Sequence, residues 1–335
     1  MKFRPCIDIH NGKVKQIVGG SLRDAGDRAR DNFVSEQDAA YYAKLYRADG
    51  LAGGHVILLN HANSPYYKED LSQARAALAA FPGGLMIGGG INDENAGTFL
   101  RMGASHVIVT SFVFRDGKLD MEALEKMVAA VGKEHLVLDL SCRKRSTAHP
   151  GELSESEEIV TKKISGGNNL PENGKSISDC SEKYEKTKTE DDLYVKDKKT
   201  GQKDTVPEGK TGQEDAIPEE KCENGEYYIV TDRWQKFTEV AVTPKLLEEL
   251  SAYCDEYLIH AVDVEGRQAG IEENLARMLG AWNGIPVTYA GGIHSMEDIR
   301  KIDEYGRGRL DFTVGSALDL FGGAIPYRSL HSFQS

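Results

Sequence analysis

The chain has 335 residues, with 53 acidic against 41 basic side chains and a formal net charge of −12. No basic stripe alternates with aromatics and no apolar run approaches membrane-spanning length, so neither nucleic acid nor membrane is an expected partner. Five cysteines without framework spacing (Cys6, Cys142, Cys180, Cys222, Cys254) and a strand that begins almost at once, with no signal-like apolar core before it, predict a cytoplasmic protein.

Short apolar runs alternate with helical patterns along the chain, which predicts βαβ units and a parallel sheet. Strands are expected at residues 3–9, 55–59, 85–87, 106–110, 135–140, 256–262, 286–289 and 310–314. Their near-continuous apolar content fits strands covered on both faces. An early strand pair is expected from residues 14–18 with the loop that follows. Ala39, Tyr42, Ala43 and Tyr46 keep the i, i+3, i+4, i+7 spacing of an amphipathic helix, as do Leu124, Met127, Val128 and Val131. Asp93 is expected to cap a helix carrying Ala96, Phe99 and Leu100. Thr243 with Pro244 should start the helix of Leu246, Leu247 and Leu250, and Ser295 that of Met296, Ile299 and Ile302. After Phe321 only 14 residues remain, including Pro326, so the last helix is the weakest.

Residues 146–225 break this rhythm. They hold 19 acidic and 12 basic side chains, about −7 of the chain's −12, and their aliphatic residues are isolated. Such a tract buries too little surface to offset its ordering entropy and is expected to be a largely disordered loop insertion. About 255 residues remain without it, the usual size of one eight-fold β/α barrel. The expected organisation is one domain over residues 1–335, interrupted at 146–225.

The chain also repeats itself. CIDIHNGK (residues 6–13) returns as VLDLSCRK (137–144), placing Asp8 and Asp139 at the ends of two apolar strands. MIGGGI, ending at Ile91, is followed after 20 residues by Ser111; TYAGGI, ending at Ile293, is followed after 23 by Ser316. The order is the same in both halves, and only the interval holding the insertion differs. One barrel of two similar halves follows.

In such a barrel the active site lies at the carboxyl ends of the strands. Asp8 and Asp139 would stand on opposite strands, flanking a substrate as base and acid. A single strand-end aspartate is as often a turn cap; two at equivalent positions point to catalysis. The turns of Gly89, Gly90, Gly291, Gly292 and Gly315 let backbone N–H groups approach an anion, and Thr110, Ser111 and Ser316 add hydroxyls. Together with Gly20 they form the expected phosphate-binding set, two cradles on opposite sides of the mouth. That arrangement predicts an elongated small-molecule substrate with a phosphate at each end. Trp234 is placed to stack on a heterocycle or simply to pack its loop. His10 is expected to make a structural hydrogen bond, and His260, Asp263 and Glu265 are further polar candidates. No metal-ligand spacing is present.

These motifs, with NFVSEQDAAYYAKLYR (residues 32–47), LIHAVDVEG (258–266) and VGSALDLFGG (314–323), resemble the phosphoribosylformimino-AICAR-phosphate isomerases of histidine biosynthesis, in their eukaryotic-type branch. The resemblance covers nearly the whole chain outside 146–225. It implies a (β/α)8 TIM barrel of the ribulose-phosphate-binding type and an Amadori rearrangement of a bis-phosphate substrate without a cofactor. By resemblance Asp8 would move the proton at sugar C2, Asp139 would protonate the ring oxygen, and Trp234 would pack on the imidazole carboxamide. A self-sufficient monomer is expected. Two stretches depart from bacterial members: LLNHAN (58–63) replaces an acidic run, so no role passes to Asn60, and DVEG replaces a DRDG-like loop, leaving Asp263 and Glu265 open. The rival readings are the cyclase barrel of imidazole-glycerol-phosphate synthase and a non-catalytic phosphosugar-binding scaffold. The cyclase typically has lysine where His10 stands, and a scaffold should have lost an aspartate.

Overall fold

In the computed structural model, which describes residues 1–18, 21–22, 26–145, 226–267 and 269–334, all eight expected strands form. They are β1 (Cys6–His10), β2 (Gly54–Leu58), β3 (Leu85–Gly88), β4 (Val107–Val109), β5 (Leu136–Asp139), β6 (Glu256–His260), β7 (Val287–Ala290) and β8 (Leu310–Phe312). Each pairs in parallel with the next. A parallel bridge between Phe3 and Phe312 closes the ring, with the Arg4 N–H on Phe312 O at 2.8 Å and the Phe312 N–H on Lys2 O at 3.0 Å. The result is the expected (β/α)8 barrel.

Among the described residues seven helices separate the strands: α1 (Ala39–Ala48), α2 (Tyr67–Ala80), α3 (Ala96–Arg101), α4 (Met121–Val131), α5 (Pro244–Leu250), α6 (Glu273–Ala281) and α7 (Met296–Tyr305). Two short 3₁₀ turns, Asp319–Phe321 and Tyr327–Ser332, stand where an eighth helix would lie. The caps follow local chemistry. Thr243 accepts the Leu246 N–H ahead of Pro244, and Ser295 and Asp298 form a reciprocal capping box. Asp93 does not cap α3. Asn92 and Asn95 accept one another's backbone N–H at 3.0 Å, a local turn that delays the helix to Ala96.

Strand alternation builds the barrel interior in layers. At its amino end Arg4 pairs with Asp311 at 2.8 Å and Glu256 at 3.5 Å, and Glu256 accepts the Thr288 hydroxyl at 2.6 Å. Above it Met86, Ile108, Val137, Leu258 and Ala290 pack together with Ile57. Burying a large aliphatic side chain contributes about 1.5–3 kcal/mol, so this plug is a substantial part of the barrel's stability. At the carboxyl end the layer turns polar again, with Asp8, Asp139, His260 and Thr313. The larger core lies outside the ring, where Tyr42 and Tyr46 of α1, Leu124 and Met127 of α4 and Ile299 and Ile302 of α7 cover the strands.

Two antiparallel additions rise from the carboxyl ends of the strands. Strand Lys13–Ile17 folds back on β1 and pairs with Asp31–Val34. After β5, Cys142–Lys144, Tyr227–Thr231 and Lys236–Ala241 form a three-stranded arm. Lys144 pairs with Tyr227, and the Arg145 N–H donates to Glu226 O at 3.1 Å, so both ends of the insertion are held side by side. The disorder expected for 146–225 falls on residues outside the described ones.

We propose that the barrel is one folding domain into which 146–225 is spliced at a hairpin end. Closing a loop of that length rather than a four-residue turn costs roughly 2–3 kcal/mol. Replacing 146–225 by a short Gly/Ser turn is therefore expected to leave the thermal midpoint unchanged or higher. A calorimetric midpoint lower by more than about 5 °C would mean that the tract supports the barrel.

Candidate active site

Asp8 ends β1 and Asp139 ends β5, strands that face one another across the ring. Both line a cavity of about 490 Å³ at the carboxyl ends of the strands. Gly89, Gly90, Thr110, Ser111, Trp234, Gly291, Gly292, Gly315 and Ser316 line the same cavity, while Gly20 lies outside the described residues. The two halves meet at one site, as the repeat predicted.

The glycine turns are sterically required. Gly89 has φ +101°, and a Cβ there would come within 2.1 Å of Leu58 O; at the equivalent Gly291 (φ +113°) it would come within 2.7 Å of Ala261 O. No other residue type fits either position without moving a strand end. Both turns open toward the cavity beside Ser111 and Ser316. Thr110 is differently engaged, its hydroxyl donating to Asp139 Oδ2 at 3.0 Å.

The two aspartates sit in opposite surroundings. Asp139 Oδ1 accepts the Ser141 N–H at 2.9 Å and the Ser141 hydroxyl at 2.7 Å, and lies 3.6 Å from His260 Nδ1. Burial works to raise its pKa, but His260, Ser141 and Thr110 outweigh burial and hold it below the ordinary carboxylate range. Among the described residues Asp8 has one side-chain donor, Gln16 Nε2, at 3.1 Å from Oδ2. Burial, with repulsion from Glu265, overrides the help of His260 and Gln16 and raises Asp8 to about 7. His260 loses hydration, yet the carboxylates of Asp139, Glu265 and Asp8 raise its pKa. Burial raises Glu265 as well, against the pull of His260. The cavity thus favours the ionised form of Asp139 and the charged form of His260, and sets both across from Asp8, raised to about 7.

The structure gives places to the residues left open and departs from expectation at His10. Asp263 binds Arg143 Nε at 2.7 Å and the Lys144 N–H at 2.9 Å, pinning the arm to the loop after β6 rather than facing the cavity. Glu265 does line the cavity. His10 is buried, but neither ring nitrogen has a hydrogen-bond partner among the described residues, so the expected structural bond is not made there. Asn60, left without a role, accepts the Asn11 N–H at 2.7 Å and donates to Asn11 Oδ1 at 2.8 Å, fixing the turn after β1. Gln16 and Ser141 were not singled out. Gln16 is a polar residue at an inward position of its strand, and Ser141 follows Asp139 at the alternation distance; both were findable signals. No group of three or more His, Cys, Asp or Glu among the described residues is arranged to hold a metal ion.

The chain matches the family model described as "Histidine biosynthesis protein" over residues 2–206 and 214–325. It is 40% identical over 334 residues to the chloroplastic 1-(5-phosphoribosyl)-5-((5-phosphoribosylamino)methylideneamino) imidazole-4-carboxamide isomerase of Medicago truncatula, covering 98% of this chain and 80% of that protein. The isomerases of the same name from Neurospora crassa and Saccharomyces cerevisiae are 36% and 33% identical, covering 96% and 97% of this chain and 93% and 94% of their own lengths.

A carboxylate whose pKa is raised by folding costs stability once it ionises. That cost is absent below the unfolded-state value, grows as pH rises, and reaches roughly 4 kcal/mol above about pH 7 for Asp8. Asp8→Asn is therefore expected to melt at a higher temperature than the parent, by a margin wider at pH 8 than at pH 5. Thermal melts at the two pH values check this, and a margin that narrows with rising pH contradicts it.

Proposed function

The chain belongs to the histidine biosynthesis protein family, and on that premise we propose how its barrel works. It is an isomerase that converts the aminoaldose of a phosphoribosylformimino-aminoimidazole carboxamide ribonucleotide into the aminoketose. The observation carrying the division of labour below is the pair of repeat-equivalent aspartates, held in opposite protonation tendencies across one cavity.

Ring opening requires a proton at the ribose ring oxygen. As the C1–O bond breaks, nitrogen's lone pair forms a protonated C1=N imine. The Amadori step then removes the C2 hydrogen as a proton, its bonding electrons becoming a C1–C2 double bond while the C1=N π pair moves onto nitrogen. Proton gain at C1 and loss from the C2 hydroxyl complete the ketose. Asp8, near 7, has the basicity to take the C2 proton at working pH. Asp139 is a poor proton donor because its neighbours stabilise its ionised form. The acid on its side is better assigned to His260, whose charge Asp139 holds. This differs from the resemblance, which gave the ring-oxygen proton to Asp139 itself. The Gly89–Gly90 and Gly291–Gly292 turns, with Ser111 and Ser316, are proposed to hold the two terminal phosphates, and Trp234 to cover the heterocycle.

All these groups come from one chain, so a monomer suffices. No described helix is long and apolar enough to cross a membrane. A cytoplasmic location is proposed for this chain, in contrast to the chloroplastic Medicago relative. No observation favours the cyclase or scaffold readings.

Purified protein is expected to convert the formimino-aminoaldose to its ribulosyl isomer without ammonia, glutamine or added metal. Asp8→Asn and Asp139→Asn should each lower kcat by about a thousandfold while retaining substrate affinity. Near-parental turnover in either variant refutes the assignment. In the parent, kcat/KM should fall as pH drops through about 7, where Asp8 takes up its proton. A flat profile from pH 6 to 8 removes Asp8 as the base.

A further inference from the structure

The loop that covers the cavity is joined to Asp139 through one hydroxyl. Trp234 sits at the tip of the arm, between Tyr227–Thr231 and Lys236–Ala241. Its indole Nε1–H donates to Ser141 Oγ at 3.0 Å, and Ser141 Oγ donates to Asp139 Oδ1 at 2.7 Å. The indole also lies against His260, with ring centroids 5.7 Å apart. Both members of the Asp139–His260 pair are thus in touch with the same loop residue, one through Ser141 and one through ring contact.

This chain of donors has a direction. Indole N–H can only donate, whereas a serine hydroxyl rotates freely between acceptors. Once Trp234 occupies a lone pair on Ser141 Oγ, the hydroxyl proton is turned toward Asp139. Lifting Trp234 frees that hydroxyl for other partners and weakens its hold on the carboxylate.

The loop is not at rest by its own geometry. Asp232, Arg233 and Trp234 have φ of +51°, +56° and +65°, three successive non-glycine residues in the left-handed region. That conformation costs roughly 1–2 kcal/mol per residue. Contacts with the barrel hold it: Trp234 on Ser141, the Asp232 N–H on Ser111 Oγ at 3.1 Å, and Gln235 Nε2 on Leu22 O at 3.3 Å. A loop strained in itself and seated by a few polar contacts is suited to report whether it is down.

We propose that Ser141 is a positioning residue that couples the seating of Trp234 to Asp139, so that the Asp139–His260 pair is fully assembled only when the loop covers the cavity. The titratable groups facing Asp139 are His260 of β6, His55 of β2 and Cys142 beside it in the arm. Of these only His260 touches Trp234, and the S141A variant leaves that contact in place. The kinetic arm of the test rests on the isomerase reading; the spectroscopic arm does not.

The experiment is a carbon-13 carboxyl NMR titration of the ligand-free full chain, comparing the parent with W234F, S141A, S141T and the W234F/S141A pair. Phenylalanine keeps an aromatic face against His260 but has no N–H. The apparent pKa of Asp139 should rise by about one unit in S141A, the scale of one lost hydrogen bond to a charge. It should rise by a smaller but measurable amount in W234F, rise no further in the pair than in S141A alone, and stay near the parental value in S141T. Where turnover is measurable, kcat of S141A should fall with KM changed less than twofold. An unchanged Asp139 titration in W234F, or equal W234F effects with and without Ser141, overturns the coupling. Absence of turnover in the parent with these shifts intact overturns the isomerase reading and leaves the coupling standing.

Discussion

A carboxylate taken out of water must find either donors or a proton. That constraint organises the catalytic end of this barrel. Asp139 is met by a backbone N–H, two hydroxyls and a histidine, and stays ionised. Asp8 is met by one amide and has the acidic Glu265 among its neighbours. The sequence repeat makes the two positions equivalent, and the second-copy surroundings make them different. The electrostatic asymmetry comes from what each half places around its aspartate, rather than from the aspartates themselves.

The scaffold supplies that desolvation. Below the polar mouth an apolar layer fills the ring, and below that a charged cluster around Arg4 occupies its amino end. Water cannot reach the aspartates from beneath, so hydration depends on the loops above. The arm after β5 provides part of this cover and the strand bearing Gln16 another part. The stability lost by burying Asp8 is the energetic counterpart of a pKa suited to proton transfer near neutrality.

Strand positions, the two aspartates and the paired glycine turns were legible because each rests on a local rule: period-two burial, strand-end carboxylates, and turns that admit only glycine. What was hidden depends on contacts between distant segments. Asp263 and Glu265 are two residues apart in one loop, yet one pins Arg143 and the other faces the cavity. Nothing local distinguishes them. Asp93 lost its cap role to Asn92 and Asn95, two asparagines that satisfy each other before any helix begins. His260 rose from one polar candidate among several to the partner of Asp139, a fact set by the order of strands around the ring.

The bridge that closes the barrel joins Phe3 to Phe312, and the contacts around it, such as Lys2 N–H to Asp311, span 309 residues of chain. During synthesis the first strand must wait for β8 before its outer edge is paired. A nascent chain of this topology carries an unsatisfied strand edge through most of translation. The ring therefore closes only once β8 has been made, and termination anywhere before β8 leaves an open sheet rather than a smaller barrel.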